Sequence, residues 1–248
     1  MAKLLFSILI FPLFVFAQVE AENDQVIHRP YYSLSYNEKH EVANWVDYSL
    51  ELIQLHKCVE RTNSFRPDPL VTTGSATLAD YYKSGFDRGH LVPAGDMKFD
   101  REAMRDTFFM SNMTPQPSKF NSGKWSSLET LIRAWALKYK KIWIVTGPVL
   151  KDNLPTMGVD NRISIPEEYF KVILKKEKNT YSGIGFLMRT TVPYPDLISY
   201  AVSINTVEEL TGLDFFSYLN DEVEEEIEEN LNLNQWDFKA KFSYLPCP

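Results

Sequence analysis

Cysteine is nearly absent from this 248-residue chain; Cys58 and Cys247 are the only two. Neither has a histidine or a second cysteine at metal-ligand spacing, which argues against a zinc site built on thiolates. Histidine is also scarce, with only His28, His40, His56 and His90. There is no excess of positive charge, since 26 Lys+Arg against 33 Asp+Glu leave a net charge of -7. That argues against a protein that coats nucleic acid by bulk charge. A local basic cleft stays open to it, because charge is screened within about 10 Å. Past the N-terminus no stretch is long and apolar enough to span a membrane. Repeats, low-complexity linkers and composition breaks are missing as well. With 44% apolar and 24% charged residues, the composition is that of an ordinary globular protein. One large domain is the expectation.

The single long apolar run, Leu4 to Ala17, follows a basic residue, Lys3. It is shorter than the roughly 20 residues that a bilayer-spanning helix needs. A basic start, a short apolar stretch and nearby small residues describe a secretory signal peptide. Cleavage after Ala17 is preferred to cleavage after Ala21, giving a signal over 1–17 and one domain over 18–248; a buried N-terminal helix or an uncleaved anchor is the alternative. Export leads to a secreted or periplasmic location, and there an even cysteine count is consistent with one Cys58–Cys247 disulfide. Two free buried thiols are the other reading.

Periodicity predicts strands at 31–36 and 45–52. In the second, Val46, Tyr48, Leu50 and Leu52 share one face, and Asp47, Ser49 and Glu51 the other. Residues 61–85 read as loop, 100–106 as a short helix and 107–110 as a buried strand. The strongest helix is at 121–141, where Trp125, Leu128, Ile132, Trp135 and Tyr139 form one apolar stripe. Further strands are expected at 142–147, 162–165, 169–175 and 182–188. The spacing at 206–209 (TVEE) fits a capping box opening a short helix. The acidic run at 222–230 reads as a solvated surface where like charges weaken a helix. The fold class is α+β.

Three of the four histidines sit beside no partner motif. His90 differs, because residues 87–96 (DRGHLVPAGD) crowd a histidine, an arginine and two aspartates into one turn-rich stretch. A neutral imidazole can act as a general base, and an arginine can hold a phosphate bidentately.

DRGHL at 87–91, TFFMSNMTPQ at 107–116, FNSGKWSSLE at 120–129 and VTGPV at 145–149 follow one another at the spacing of a known family. From about Tyr31 to about Leu219 the chain resembles the DNA/RNA non-specific endonucleases, the ββα-metal nucleases of Serratia type and endonuclease G-like type. IPEEYFKV at 165–172 and TGLDFF at 211–216 look like the family's trailing elements. The resemblance implies a ββα-metal (His-Me finger) fold with a central, mostly antiparallel sheet flanked by helices. It implies His90 as the general base and Asn121 as the single protein ligand of a divalent metal, Mg²⁺ with Mn²⁺ as a substitute. Glu129 would hold waters of the metal's hydration shell. Arg88 would meet phosphate, and Arg133 matches an arginine one turn past the glutamate. An upstream arginine that neutralises the scissile phosphate matches Arg61 or Arg66, and Arg61 is preferred. The implied activity is hydrolysis of DNA and RNA with little sequence preference, leaving 5′-phosphates.

The physical chemistry is compatible with these roles. Mg²⁺ takes hard oxygen ligands and gives up water reluctantly, so one amide oxygen plus waters and a phosphate oxygen make a reasonable sphere. On a regular helix Glu129 lies about 80° from Asn121, and Arg133 is placed at i+4 to pair with Glu129. The awkward residue is Asn121, whose direction coincides with the apolar stripe; an N-cap is its plainer reading. Asp87 and Asp96 could in principle be metal ligands; the resemblance instead implies Asp87 as a structural hydrogen-bond acceptor. An acidic nuclease needs a basic cleft, for which Lys83, Arg88, Lys98, Lys119, Lys124 and Arg133 are candidates, with Lys119 and Lys124 assigned to substrate. An inactive nucleic-acid-binding relative and a phosphodiesterase of other substrates are the rival readings. A homodimer is compatible with this reading.

Overall fold

The structure, a computed structural model, describes residues 17–18, 24–191 and 195–248. The expected signal segment falls almost wholly outside these residues. In chain order the main strands are β1 (Gln25–His28), β2 (Ser33–Asn37), β3 (Val42–Glu51), β4 (His56–Lys57), β5 (Asp87–His90), β6 (Met113–Gln116), β7 (Lys141–Pro148), β8 (Glu168–Glu177), β9 (Thr180–Arg189), β10 (Ala201–Val202) and β11 (Leu245–Pro246). The helices that matter below are α1 (Leu78–Tyr81), α2 (Arg101–Asp106), α3 (Ser126–Tyr139), α4 (Ile204–Thr211) and α5 (Asp221–Glu229).

Seven strands form one sheet in the order β10-β9-β8-β7-β3-β2-β1, every neighbouring pair antiparallel. The central strands are apolar on both faces because both faces are covered. On one side Val46, Tyr48, Leu50, Ile144 and Ile173 pack against the α3 stripe of Leu128, Ile132 and Trp135. On the other, Trp45, Val145, Phe170 and Val172 pack against Ile204, Val207 and Ile227 of α4 and α5. The expected alternation in β3 therefore holds for Val46, Tyr48 and Leu50, while Leu52 falls in the turn after the strand; on the opposite face Asp47 is buried too, and Ser49 and Glu51 are half-buried. Asp47 there is 3% exposed and accepts from the Ser33 backbone N–H at 3.1 Å.

Several local expectations are corrected. The 61–85 loop contains α1. Residues 107–110 are not a strand. Thr107 caps α2, its hydroxyl donating to the Met104 carbonyl at 2.8 Å, and the Asn112 side chain ties the turn to Val92 and Thr107. The strand starts only at Met113. Helix α4 is opened by Ser203, whose side chain accepts from the Thr206 N–H at 3.2 Å, so Thr206 lies inside the first turn. The acidic run forms helix α5 despite its charge. Three of its acids sit in the first turn, where the helix dipole favours them, and Ile227 is buried against the sheet. Tertiary packing of one apolar edge outweighs the repulsion. His40 is buried, with Ser164 Oγ 2.8 Å from its Nδ1.

Candidate active site

Strands β5 and β6 stand apart from the main sheet as a two-stranded ribbon, with His90 opposite Met113 and Gly89 opposite Thr114. Glycine at 89 lets the Gln116 side chain pack over the ribbon, since a Cβ there would sit 2.2 Å from it. This tight closure delivers His90 to the ribbon's end, 8% exposed. The Phe108 ring meets the imidazole edge-on at 4.9 Å and Phe65 lies 5.8 Å away. The buried Nε2 has no hydrogen-bond partner. Burial first, then the charges of Arg61 and Arg88, push the imidazole pKa down to about 3. The ring is thus held as the free base.

The helix that follows the ribbon is broken where the chemistry sits. Residues Asn121–Trp125 form a π-type turn, and Gly123 has non-helical angles of φ -98 and ψ -114. The irregular turn uncouples Asn121 from the regular 100° progression of α3. This resolves the conflict with the apolar stripe. Trp125, Leu128, Ile132 and Trp135 are buried, whereas Asn121 lines a cavity. Asn121 is not an N-cap; its Nδ2 donates to Asp87 Oδ2 at 3.0 Å.

His90, Asn121, Arg61, Arg88, Glu129 and Arg133 line one cavity of about 340 Å³, together with Lys98 and Tyr244. Larger cavities of about 580 and 720 Å³ lie elsewhere, and neither has a histidine or an arginine in its wall. Arg61 stacks over Phe108 at 4.8 Å and Arg88 over Phe65 at 4.3 Å, so the two guanidinium groups ride on the rings that enclose His90. Arg66, the alternative to Arg61, is not in the wall. It donates to the Ser64 and Arg105 carbonyls and pairs with Asp106 at 3.4 Å.

The expected Glu129–Arg133 pair is corrected. Arg133 Nη1 pairs with Asp96 Oδ1 at 2.6 Å, and Tyr48 donates its hydroxyl to the other Asp96 oxygen at 2.8 Å. The pair lies against Gly95, where a Cβ would come 2.7 Å from Arg133 Nη1. Burial opposes the Arg133 charge, but Asp96 and then Glu129 outweigh it and hold the guanidinium firmly cationic. Burial pushes the Glu129 carboxyl above its ordinary range against the pull of Lys171 and Arg133. Lys171, buried in β8, donates to Thr146 Oγ1 at 3.1 Å and lies 4.3 Å from the Trp125 ring centre.

Lys119 and Lys124 are not brought into this cavity. Lys119 is exposed, and Lys124 donates to the Pro195 carbonyl. Of the proposed basic cleft, Arg88, Lys98 and Arg133 line the cavity, and Lys83 lines its neighbour. Two residues of the site escaped sequence reasoning: Lys171, a lone lysine inside the apolar run FKVIL, and Tyr244. Asp96 stood there without a partner.

Tyr244 is positioned by a covalent staple. Cys58 and Cys247 are bonded to each other, and β11 pairs parallel with β4 beside that bond. The Tyr244 hydroxyl donates to the Gly95 carbonyl at 2.9 Å, and the Lys98 ammonium lies 4.8 Å from its ring centre.

A buried histidine at the end of a β-ribbon, sharing a cavity with an asparagine at the start of the next helix, on an antiparallel sheet flanked by helices, defines an α+β ββα-metal nuclease fold. The chain belongs to the DNA/RNA non-specific endonuclease family, whose pattern it matches over residues 14–222. It is 35% identical over 216 residues to Nuclease C1 of Cunninghamella echinulata var. echinulata, covering 78% of this chain and 83% of that one. It is 32% identical over 207 residues to the human mitochondrial nuclease EXOG, covering 76% of this chain, and spans 56% of the length of that protein. A solved structure of the EndoG/EndoGI complex is similar in fold, with a TM-score of 0.74 at 27% identity, covering 81% of this chain and 89% of that one. Tyr244 and the Cys247 end of the disulfide lie beyond the matched residues.

Proposed function

We propose that the protein is a metal-dependent endonuclease that hydrolyses phosphodiester bonds of DNA and RNA with little sequence preference. The observation that carries this reading is the convergence of the unpartnered, neutral His90 with Asn121, Arg61 and Arg88 on one cavity. His90 accepts a proton from the attacking water on its imidazole, which lines the cavity. Such general-base assistance typically contributes about 10²–10⁴-fold. Arg61 and Arg88 offset the charge that grows on the phosphate oxygens. A site that handles phosphate and carries no reader of base edges tolerates both sugars and all sequences.

The donor set fits a hard cation. Asn121 spends its amide nitrogen on Asp87 and keeps its carbonyl oxygen, and Glu129 adds a carboxylate to the same wall. Asn121 would hold Mg²⁺, with Mn²⁺ as a substitute, and Glu129 would anchor its waters. When bound, the cation supplies Lewis-acid stabilisation of the phosphate and of the departing 3′ oxygen, leaving 5′-phosphate products. A basic start, an apolar N-terminal run and a disulfide support a secreted or periplasmic location.

The test is digestion of plasmid, single-stranded DNA and RNA by wild type, His90→Ala and Asn121→Ala, each with Mg²⁺ and with EDTA. Wild type should cut all three substrates only with metal, and both variants should lose nearly all activity while keeping the fold. A His90→Ala protein with near-wild-type turnover would refute the assignment. Wild type that binds but never cuts would make the chain an inactive relative.

A further inference from the structure

Next to the His90 cavity lies a second one of about 440 Å³ that shares Arg61, Arg88 and Asn121 with it. Tyr82 forms part of its wall and is 73% exposed. The ring shares this wall with two arginines, and its exposed face is free for a flat ligand to cover. The ring is presented by a fixed support. Helix α1 ends at Tyr81 with Tyr82 as its extended cap residue, and Asp80 within it accepts the backbone N–H groups of Val159, Asp160 and Asn161 at 3.0, 2.9 and 3.1 Å. Lys83 then takes a left-handed conformation with φ 55, uncommon for a side chain of this size. Its ammonium lies 5.2 Å from the Tyr82 ring centre. Tyr81, also in the wall, is 5% exposed and its hydroxyl has no partner.

An exposed aromatic ring, a lysine and two arginines in one wall, and an unpartnered tyrosine hydroxyl match the parts of a nucleotide: a flat base, a phosphate and hydrogen-bonding oxygens. We propose that this cavity is a stacking subsite for the nucleotide flanking the scissile phosphate, with Tyr82 beneath an unpaired base and Lys83 and Arg88 on its phosphates. Bases within a duplex are covered on both faces by their neighbours, so the subsite favours single strands. The inference rests on the nuclease reading of the His90 cavity and deepens it.

The test separates the two. Binding of a fluorescent single-stranded 20-mer, the same strand with abasic sites throughout, and the matching duplex is followed by anisotropy in EDTA, where nothing is cut. The proteins are wild type, Tyr82→Ala and Tyr82→Phe. Loss of one base stack predicts about tenfold weaker binding of the intact single strand by Tyr82→Ala. Tyr82→Phe should restore it, and the abasic strand and the duplex should change less than about twofold. An unchanged affinity for the intact strand would overturn the subsite, and so would equal weakening on the abasic strand or the duplex. If wild type shows the expected base dependence but never cleaves with Mg²⁺, the nuclease reading fails and the subsite stands.

Discussion

Asn121 donates its Nδ2 to Asp87 Oδ2 at 3.0 Å, and the other Asp87 oxygen takes the Ser118 hydroxyl at 2.7 Å. An ionised carboxylate only accepts hydrogen bonds, so the amide must offer its nitrogen to Asp87 and is left with its oxygen for a cation. Residue 87 therefore sets which end of Asn121 faces the chemistry, although it need not touch metal itself.

Removing that constraint should weaken the metal and leave the fold. Groups that orient a ligand typically cost about 10–100-fold in metal affinity or activity when removed. Asp87→Ala is expected to need that much more Mg²⁺ for half-maximal cleavage, with turnover recovering at high Mg²⁺. A Mg²⁺ titration identical to that of wild type would show that Asn121 orients itself.

The depressed pKa of His90 has a stability consequence of definite sign. In the unfolded chain the imidazole takes a proton near pH 6.5; in the folded protein it does so only near pH 3. Between these values the unfolded state binds the extra proton, so stability falls as pH drops from 6.5 towards 3. At pH 5 the cost approaches about 2 kcal/mol relative to pH 7.5. In EDTA, urea unfolding of wild type and His90→Gln should show a difference that shifts by up to that amount in favour of the variant on going from pH 7.5 to 5. A constant difference would mean that His90 titrates normally.

The parts of the site legible in the sequence are those carried by contiguous motifs. DRGH and FNSGKW announce His90 and Asn121 because a short ribbon and a distorted helix start need particular residues at adjacent positions, such as Gly89 against Gln116. The sheet and α3 were legible from periodicity, since they bury regular faces. Pairings across the chain left no local trace. Asp96 meets Arg133 across 37 positions, so the nearer Glu129 was the natural partner to expect. Lys171 read as an ordinary strand residue because its compensating charges lie on another element. The 107–110 run of apolar residues looked like a strand because burial alone does not separate a turn knotted by Asn112 from an extended chain.

The disulfide should matter to the site as well as to stability. It closes a separation of 189 residues, and bridging a loop of that size typically stabilises by about 2–5 kcal/mol. It also anchors the strand after Tyr244, whose hydroxyl holds the Gly95 carbonyl next to the Asp96–Arg133 pair. A Cys58→Ser, Cys247→Ser protein is expected to unfold at lower urea and to show faster amide exchange across 240–248. Its KM for DNA should rise, because the Tyr244 wall of the cavity loosens. Exchange at 240–248 matching wild type would place the anchor in β11 pairing instead.

Among the lysines, position separates Lys98, in the wall of the His90 cavity, from Lys119 and Lys124 outside it. Lys98 lines the His90 cavity, and burial first, then the neighbouring Lys57, lowers its pKa. Lys119 lies outside the cavity, and Lys124 is engaged by Pro195. Removing one cation that neutralises a phosphate lowers the slope of log affinity against log salt by about one. Lys98→Ala should therefore raise KM on duplex DNA and flatten that slope by about one, whereas Lys119→Ala and Lys124→Ala should change neither. Cleavage assays from about 50 to 200 mM salt are the measurement, a range over which phosphate-dominated binding changes by orders of magnitude. A slope altered by Lys119→Ala but not by Lys98→Ala would move the path of the nucleic acid from the cavity onto the helix start that carries Asn121.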